Sequence, residues 1–370
     1  QHAPKARRPL SVTPALTAAF ARQAEACAGL GSPFMARLLP QVLRAISPAS
    51  ALGLRLSSWP EERLGPSRDS VPLRLAGGLH RLVLSGEASP LASVYPPNEA
   101  SDAALLAALQ ETCAAHEASL LAAVDTPPQT NEVRRAAVLI AAGHWLTARH
   151  GLPLTVSEIG ASAGLNLNWD FFCLRVGDHV LGPRHSPVQL APEWTGQPPH
   201  ICPAYVADAE GVDLRPVDAA REEGALTLKS YLWPDQPERR ALTEAAIALF
   251  RRPDSGATMV AGDALSWLPG RLTPRSGHCH MLYSTVAWQY LDDAARKAGQ
   301  AMIEAAGRRA SASTPLAWFR MEADSESPGA ALTMTTWPGG ETSFGRADFH
   351  GRWVDWQAPD PTSGLQGGSS

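Results

Sequence analysis

The chain has no apolar run approaching the roughly 20 residues needed to cross a bilayer, so no membrane partner is expected. Its Arg-bearing start, residues 4–10, is not followed by the apolar region of a signal peptide. Lysine is nearly missing, occurring only at Lys5, Lys229 and Lys297, and the net charge is −4. That balance argues against the broad basic footprint that nucleic-acid binding requires. The five cysteines (Cys27, Cys113, Cys173, Cys202, Cys279) form no C-x-x-C pair. An odd count without framework spacing fits reduced thiols and predicts a cytoplasmic protein. His278-Cys279-His280 has a metal-like spelling, but alternation along a strand sends Cys279 to the face opposite the two histidines, so no metal site is expected. No internal repeat is present.

Hydrophobic residues make up 45% and charged residues 18% of the 370, an ordinary balance for folded protein of one large or two ordinary domains. Residues 1–125 are Ala/Leu-rich with apolar positions at i, i+3, i+4, which predicts helices over 15–28, 33–46 (kinked or broken at Pro40) and 102–123. They are expected to form a helical cap. A helix over 132–149, capped by Asn131 or Thr130, opens the second part. Strands are then expected at 154–159, 211–214, 258–261, 281–284 and 316–321, with helices after Gly164 and over 237–251 and 292–310. This alternation predicts a mainly parallel, doubly wound sheet across 126–358. Residues 331–337 and 349–356, around the turn Pro338-Gly-Gly340, predict antiparallel strands at its end. Residues 359–370 read as a disordered tail.

Val156-Ser-Glu-Ile-Gly-Ala-Ser-Ala-Gly164 is a buried strand stopping at a glycine turn that leads into a helix. Glycines there permit positive φ and close approach of a ligand, and the helix start offers free N–H groups. Glu158, just before the first glycine, would repel a phosphate and suits a ligand with a cationic or hydroxyl-rich end. A nucleoside cofactor such as S-adenosylmethionine fits better than a dinucleotide. Two more acids follow at strand ends, where open α/β sheets bind ligands. Asp213 could accept both ribose hydroxyls and Asp263 the adenine amine, while Glu158 supports the amino-acid end or the loop. Against this, strand-end acids are commonly loop residues or helix caps, and glycine turns often serve packing alone.

Glu158-Ile-Gly-Ala-Ser-Ala-Gly164, Gly211-Val-Asp-Leu-Arg-Pro216 and Val260-Ala-Gly-Asp-Ala-Leu265 resemble the first three motifs of class I S-adenosylmethionine-dependent methyltransferases. That resemblance implies a Rossmann-like, seven-stranded, mainly parallel sheet with antiparallel terminal strands, and cofactor contacts at Glu158, Gly160, Ser162, Gly164, Asp213 and Asp263. Nearly the whole chain resembles a bacterial family, domain of unknown function 2332. The likeness is carried by residues 73–82, 129–133 and 158–170, Trp233-Pro234, Trp288-Gln-Tyr290, Trp337-Pro-Gly-Gly-Glu341 and His350-Gly351. In two respects the chain departs: the Glu158–Asp213 and Asp213–Asp263 separations exceed those of a compact methyltransferase, and Ser284 stands where the family commonly has histidine.

Further candidates each have a plainer alternative. Arg135 could hold a carboxylate bidentately, or form a surface pair; Asn131 could touch the ligand, or cap a helix. Ser284 and Tyr290, after the fourth strand, are the catalytic candidates, although a phenol is a poor general base unless perturbed. Trp288 could stack on adenine or sit in the core. His80 could reach over the site or be a buried structural histidine, and packing is the expectation for His350. The leading expectation is methyl transfer to a small molecule, with the oligomeric state open. Gly160-Ala-Ser162-Ala-Gly164 also spells a Gly-x-Ser-x-Gly elbow, which admits a serine hydrolase using Ser162, Asp263 and His350. A non-catalytic metabolite- or partner-binding domain is the third reading.

Overall fold

The computed structural model describes residues 12–66 and 68–363. The chain divides into two compact units: 1–130 with 226–241, and 131–225 with 242–370.

The first unit is helical. Its helices are α1 (Pro14–Gly29), α2 (Pro33–Ala45), α3 (Ala51–Ser57), α4 (Val71–Leu84), α5 (Ser89–Ala92), α6 (Asp102–Ala115) and α7 (Glu117–Val124). Ser or Thr side chains cap α1, α2, α3 and α6 by accepting a hydrogen bond from an early backbone N–H. Helix α2 runs through Pro40, and the helix expected over 102–123 is two, broken at His116. Phe20, Leu39, Val42, Leu75 and Leu109 are centres of its core, and Trp233, from the later segment 226–241, packs into the same cluster.

In the second unit the strands are β1 (Leu154–Ile159), β2 (Cys173–Val176), β3 (His179–Leu181), β4 (Gln189–Leu190), β5 (Glu193–Gly196), β6 (Val206–Asp213), β7 (Ala257–Ala261), β8 (Cys279–Thr285), β9 (Leu316–Glu322), β10 (Ala330–Trp337), β11 (Glu341–Ala347) and β12 (Trp353–Trp356). The helices are α8 (Ala136–His150), α9 (Glu222–Ser230), α10 (Pro237–Phe250), α11 (Ala264–Arg271) and α12 (Asp293–Gly307), with α9 and α10 running into and out of segment 226–241 of the first unit.

Nine strands form one sheet in the order β5-β12-β11-β10-β9-β8-β1-β6-β7, and β3-β2-β4 form a small second sheet. Pairings from β7 through β9 are parallel, and β9-β10-β11-β12 is an antiparallel meander. The chain passes from β1 to β6 and β7 on one side and returns to β8 on the other, so β1 and β8 flank a topological switch point. Every residue of β1 is buried, as for a central parallel strand covered on both faces. From Ala136 to Leu146, α8 is buried continuously, and Gly143 admits the Trp169 ring: a Cβ there would lie 2.2 Å from it.

The seven-stranded expectation is corrected to nine. Of the strand expected at 349–356 only Trp353–Trp356 forms, as β12, and an unexpected strand, β11, pairs with β10 directly after the turn. β5 adds an edge in parallel with β12, from a segment that reads as polar. Both β5 and the start of β11 are largely exposed, so neither carries an apolar signature. After Gly164 the chain forms a 3₁₀-helix, Leu165–Phe171, instead of an α-helix. Of the expected tail, residues 364–370 lie outside the described ones, while 359–363 are held down: Trp145 donates to the Pro359 carbonyl and Arg149 to those of Pro361 and Ser363.

Candidate functional site

β1 ends at Ile159, and the turn beyond it is left-handed at three places: Gly160 (φ +70°), Ser162 (φ +55°) and Gly164 (φ +74°). Its amides already have protein partners. Gly160 and Ala161 donate to the Val212 carbonyl, Ser162 donates to Asp213 Oδ2 (2.9 Å), and Ala163 and Leu165 both donate to Asn131 Oδ1 (3.3 and 3.2 Å). Asn131 therefore caps the glycine turn and the 3₁₀-helix after it, not the helix at 136–150 that it precedes. Packing also explains the glycines: a Cβ on Gly160 would lie 2.5 Å from the Ala287 Cβ, and one on Gly211 2.6 Å from the Ala161 Cβ.

Beside this turn, Asp213 ends β6. Its two oxygens accept from the Ser162 and Arg215 amides, which leaves acceptor sites to spare on a carboxylate. Glu158 lies beneath the turn, fully buried, with Oε2 lacking any hydrogen-bond partner. Burial pushes its carboxyl well above the ordinary range; Arg135 pulls it down and Asp213 pushes it further up. Across the β1–β8 register sits Tyr283, whose hydroxyl donates to the Asn166 carbonyl (3.2 Å) and whose burial raises its phenol further from the range of a base.

On the other side of the switch point, the loop after β8 is strained and tightly held. Val286 takes φ +55°, a conformation that β-branched residues avoid. Glu322, at the end of β9, accepts from the backbone N–H groups of Ala287 (3.1 Å), Trp288 (3.0 Å) and Gln289 (3.3 Å). Burial raises the Glu322 carboxyl against the pull of these amides. Arg135 fastens the same region, donating through Nε to the Phe349 carbonyl (2.7 Å) and through Nη1 to that of Thr285 (3.1 Å).

The switch point thus brings together Asn131, Arg135, Glu158, Gly160, Ser162, Gly164 and Asp213. Other expected residues have different surroundings. Asp263 is the N-cap of α11, accepting from the Ser266 amide (2.9 Å) and hydroxyl (3.0 Å). Trp288 is buried edge-to-face against Trp318 (5.1 Å) and over Gly299. Ser284 is buried at the end of β8, whereas Tyr290 is 64% exposed and Leu214, next to Asp213, 75% exposed. His80 is buried in the helical unit with Nδ1 3.2 Å from the Ser230 carbonyl, and burial pushes it down to about 4, so its ring is neutral at pH 7. His350 places Nδ1 3.8 Å from Glu132 Oε2. Sequence reasoning missed Glu322 and Val286. Glu322 carries the same signal as the others, an acid at a strand end, while nothing in a valine announces positive φ.

Fold and site define an α/β protein with a doubly wound sheet and a glycine turn at its switch point. The chain belongs to the family DUF2332, uncharacterized proteins conserved in bacteria, whose model matches residues 17–356. No curated protein and no solved structure is significantly similar to it. No helix among the described residues is long and apolar enough to cross a membrane.

Proposed function

We propose that the carboxyl edge between β1 and β8 binds S-adenosylmethionine and that the protein transfers its methyl group to a small molecule. The observation that carries this reading is the pairing of the left-handed glycine turn with Asp213 on the neighbouring strand, at the position where open α/β sheets take nucleotides. Asp213 has acceptor capacity left for ribose hydroxyls, and Glu158 lies buried beneath the turn with its Oε2 lacking a hydrogen-bond partner. Leu214 supplies exposed apolar surface next to Asp213. The sulfonium of the cofactor would supply the activated methyl. The chain's own part is alignment and exclusion of water, which demands no triad. Asp263 and Trp288 are not assigned to the cofactor, because one caps a helix and the other fills the core.

Isothermal titration of S-adenosylmethionine and S-adenosylhomocysteine into the wild type and Asp213→Asn tests this. Loss of a charged acceptor is expected to weaken binding about 10- to 100-fold, or roughly 1.5–3 kcal/mol. Equal affinity in both folded proteins would remove Asp213 from the site.

Ser162 keeps a second reading open, since its φ of +55° matches the strained serine of a nucleophile elbow. Its proposed partners lead elsewhere, Asp263 to Ser266 and His350 to Glu132. A serine-directed fluorophosphonate decides: labelling of Ser162 without nucleoside binding would favour the hydrolase.

A further inference from the structure

The face of the sheet that α11 and α12 cover changes character along the strands. At the carboxyl end of β1 and across β8 and β9 it is apolar, with Ile159, Leu282 and Trp318 packed against Leu268 and Ile303. Toward the amino ends the cross-strand rows turn polar. Asp208, Thr155 and His280 are in register in one row, and Glu210 and Ser157 in the next. A helix-covered sheet face normally buries hydrocarbon, so five polar side chains in adjacent rows need a physical reason.

Arg271, the last residue of α11, meets part of that need. Its Nε donates to Ser157 Oγ (2.7 Å), and its Nη2 donates to the Val156 carbonyl (2.9 Å) and pairs with Asp208 (2.5 Å). One turn earlier, Trp267 donates to Glu210 (2.7 Å). Ser157 lies 2.8 Å from His280 Nε2, and burial, reinforced by Arg271, pushes His280 down to about 3. The imidazole is therefore neutral and shares a hydrogen bond with the serine hydroxyl through Nε2.

The cluster is not filled by protein. A cavity of about 530 Å³ opens on it, walled by Leu272, Pro315 and Leu316 and bordered by Arg275 and His278. That is the size of cavity that takes small metabolites. Thr155 lines this cavity, is only 6% exposed, and its Oγ1 has no hydrogen-bond partner. That oxygen is itself covered, so the charged side chains are what the cavity presents to a ligand. The charges define that ligand. The floor holds two carboxylates, Asp208 and Glu210, against one guanidinium, Arg271, which favours an ammonium group. Arg275 adds a second positive charge at the border, suited to a carboxylate. Between them the wall is apolar.

We infer that this cavity, at the amino edge of the sheet and so at the opposite end of β1 from the glycine turn, binds a small zwitterion of the amino-acid class. Its ammonium lies toward Asp208 and Glu210, and its carboxylate toward Arg275. It is independent of the nucleoside site.

The test uses the full chain, titrated calorimetrically with the common L-amino acids, then with the N-acetyl and carboxamide forms of the tightest binder. N-acetylation and Asp208→Asn are each expected to weaken binding on the order of tenfold or more. Arg275→Gln should weaken binding of the free acid but not of the carboxamide. Glu210→Gln keeps an acceptor for the Trp267 indole, so it keeps the test valid if Asp208→Asn fails to fold; it too should weaken binding severalfold. Asp213→Asn should leave binding unchanged, which separates this site from the switch point. Absence of binding at millimolar concentration of every amino acid would overturn the inference. So would binding indifferent to N-acetylation, Glu210→Gln and Arg275→Gln.

Discussion

Asn131 shows how one side chain acts at a distance from its own element. A single amide oxygen satisfies two N–H groups of the glycine turn, Ala163 and Leu165. Asn131→Ala should therefore cost about 0.5–2 kcal/mol of unfolding free energy, as lost caps do, and urea denaturation measures it. Asn131→Asp keeps the acceptor and should recover most of the loss; equal destabilisation by both substitutions would show that the cap is not the cause. Gly160 is constrained twice, by φ and by Ala287, so a bulky replacement there would disturb packing whether or not a ligand binds. Asp213 is the cleaner probe of the proposed cofactor.

Among the elements, the loop between β8 and α12 stores strain next to a well-satisfied carboxylate. The Glu322 network holds Ala287, Trp288 and Gln289 in place, and Val286 bears the left-handed turn. Val286→Gly removes the steric penalty of that conformation at the expense of chain entropy. A net gain of roughly 0.5–1 kcal/mol in stability is expected. If the strain serves the proposed site, the same variant binds S-adenosylmethionine more weakly, the usual exchange of stability against function. A variant less stable than wild type would mean that the Val286 side chain contributes more by packing than its backbone costs.

At the scale of the molecule, titration has opposing parts. Burial pushes the Asp170 carboxyl up to about 7 against the pull of its own and Phe171's amides. A raised acid keeps its proton in the folded chain after the unfolded chain has lost it, so its contribution is present at low pH and is lost as pH rises from about 4 to 7. His80, His144 and His150, pushed by burial to about 4, and His280, pushed to about 3, run the other way. Their contribution is present above the unfolded value near 6.5 and is lost as pH falls through 4. Asp170→Asn should gain stability over wild type progressively from pH 4 to 7, by on the order of 2–4 kcal/mol at the plateau. A constant difference across that range would show that Asp170 ionises normally in the folded state. The discontinuous first unit makes a separate prediction. A fragment of residues 131–370 leaves Trp233 and Leu232 without the helical core that buries Trp233, and it should bind a hydrophobic dye and aggregate. Replacing 226–241 by a short polar linker should restore solubility. If the unmodified fragment is monomeric and does not bind the dye, the segment is not held by the first unit's core.

Much of the central sheet was legible in the chain alone. β1, β7, β8 and β9 are short segments with recurrent apolar residues bounded by turn residues, so their period and length mark them wherever they fold. The glycine turn and Asp213 were legible too, because positive φ and strand-end acids restrict residue type locally. Other features depended on which segments meet. β5 and β11 hold their place through backbone pairing at the sheet's outer strands, which leaves little trace in side-chain polarity. Asp263 reads like a ligand-binding acid but caps a helix, since cap and contact use the same oxygen and only the neighbouring amides distinguish them. The polar rows beneath α11 and α12 come from three strands separated by some fifty to seventy residues each; Thr155, Asp208 and His280 form one surface only because parallel pairing sets them in register. Local patterning determined the elements, and long-range register decided which polar side chains share a cavity.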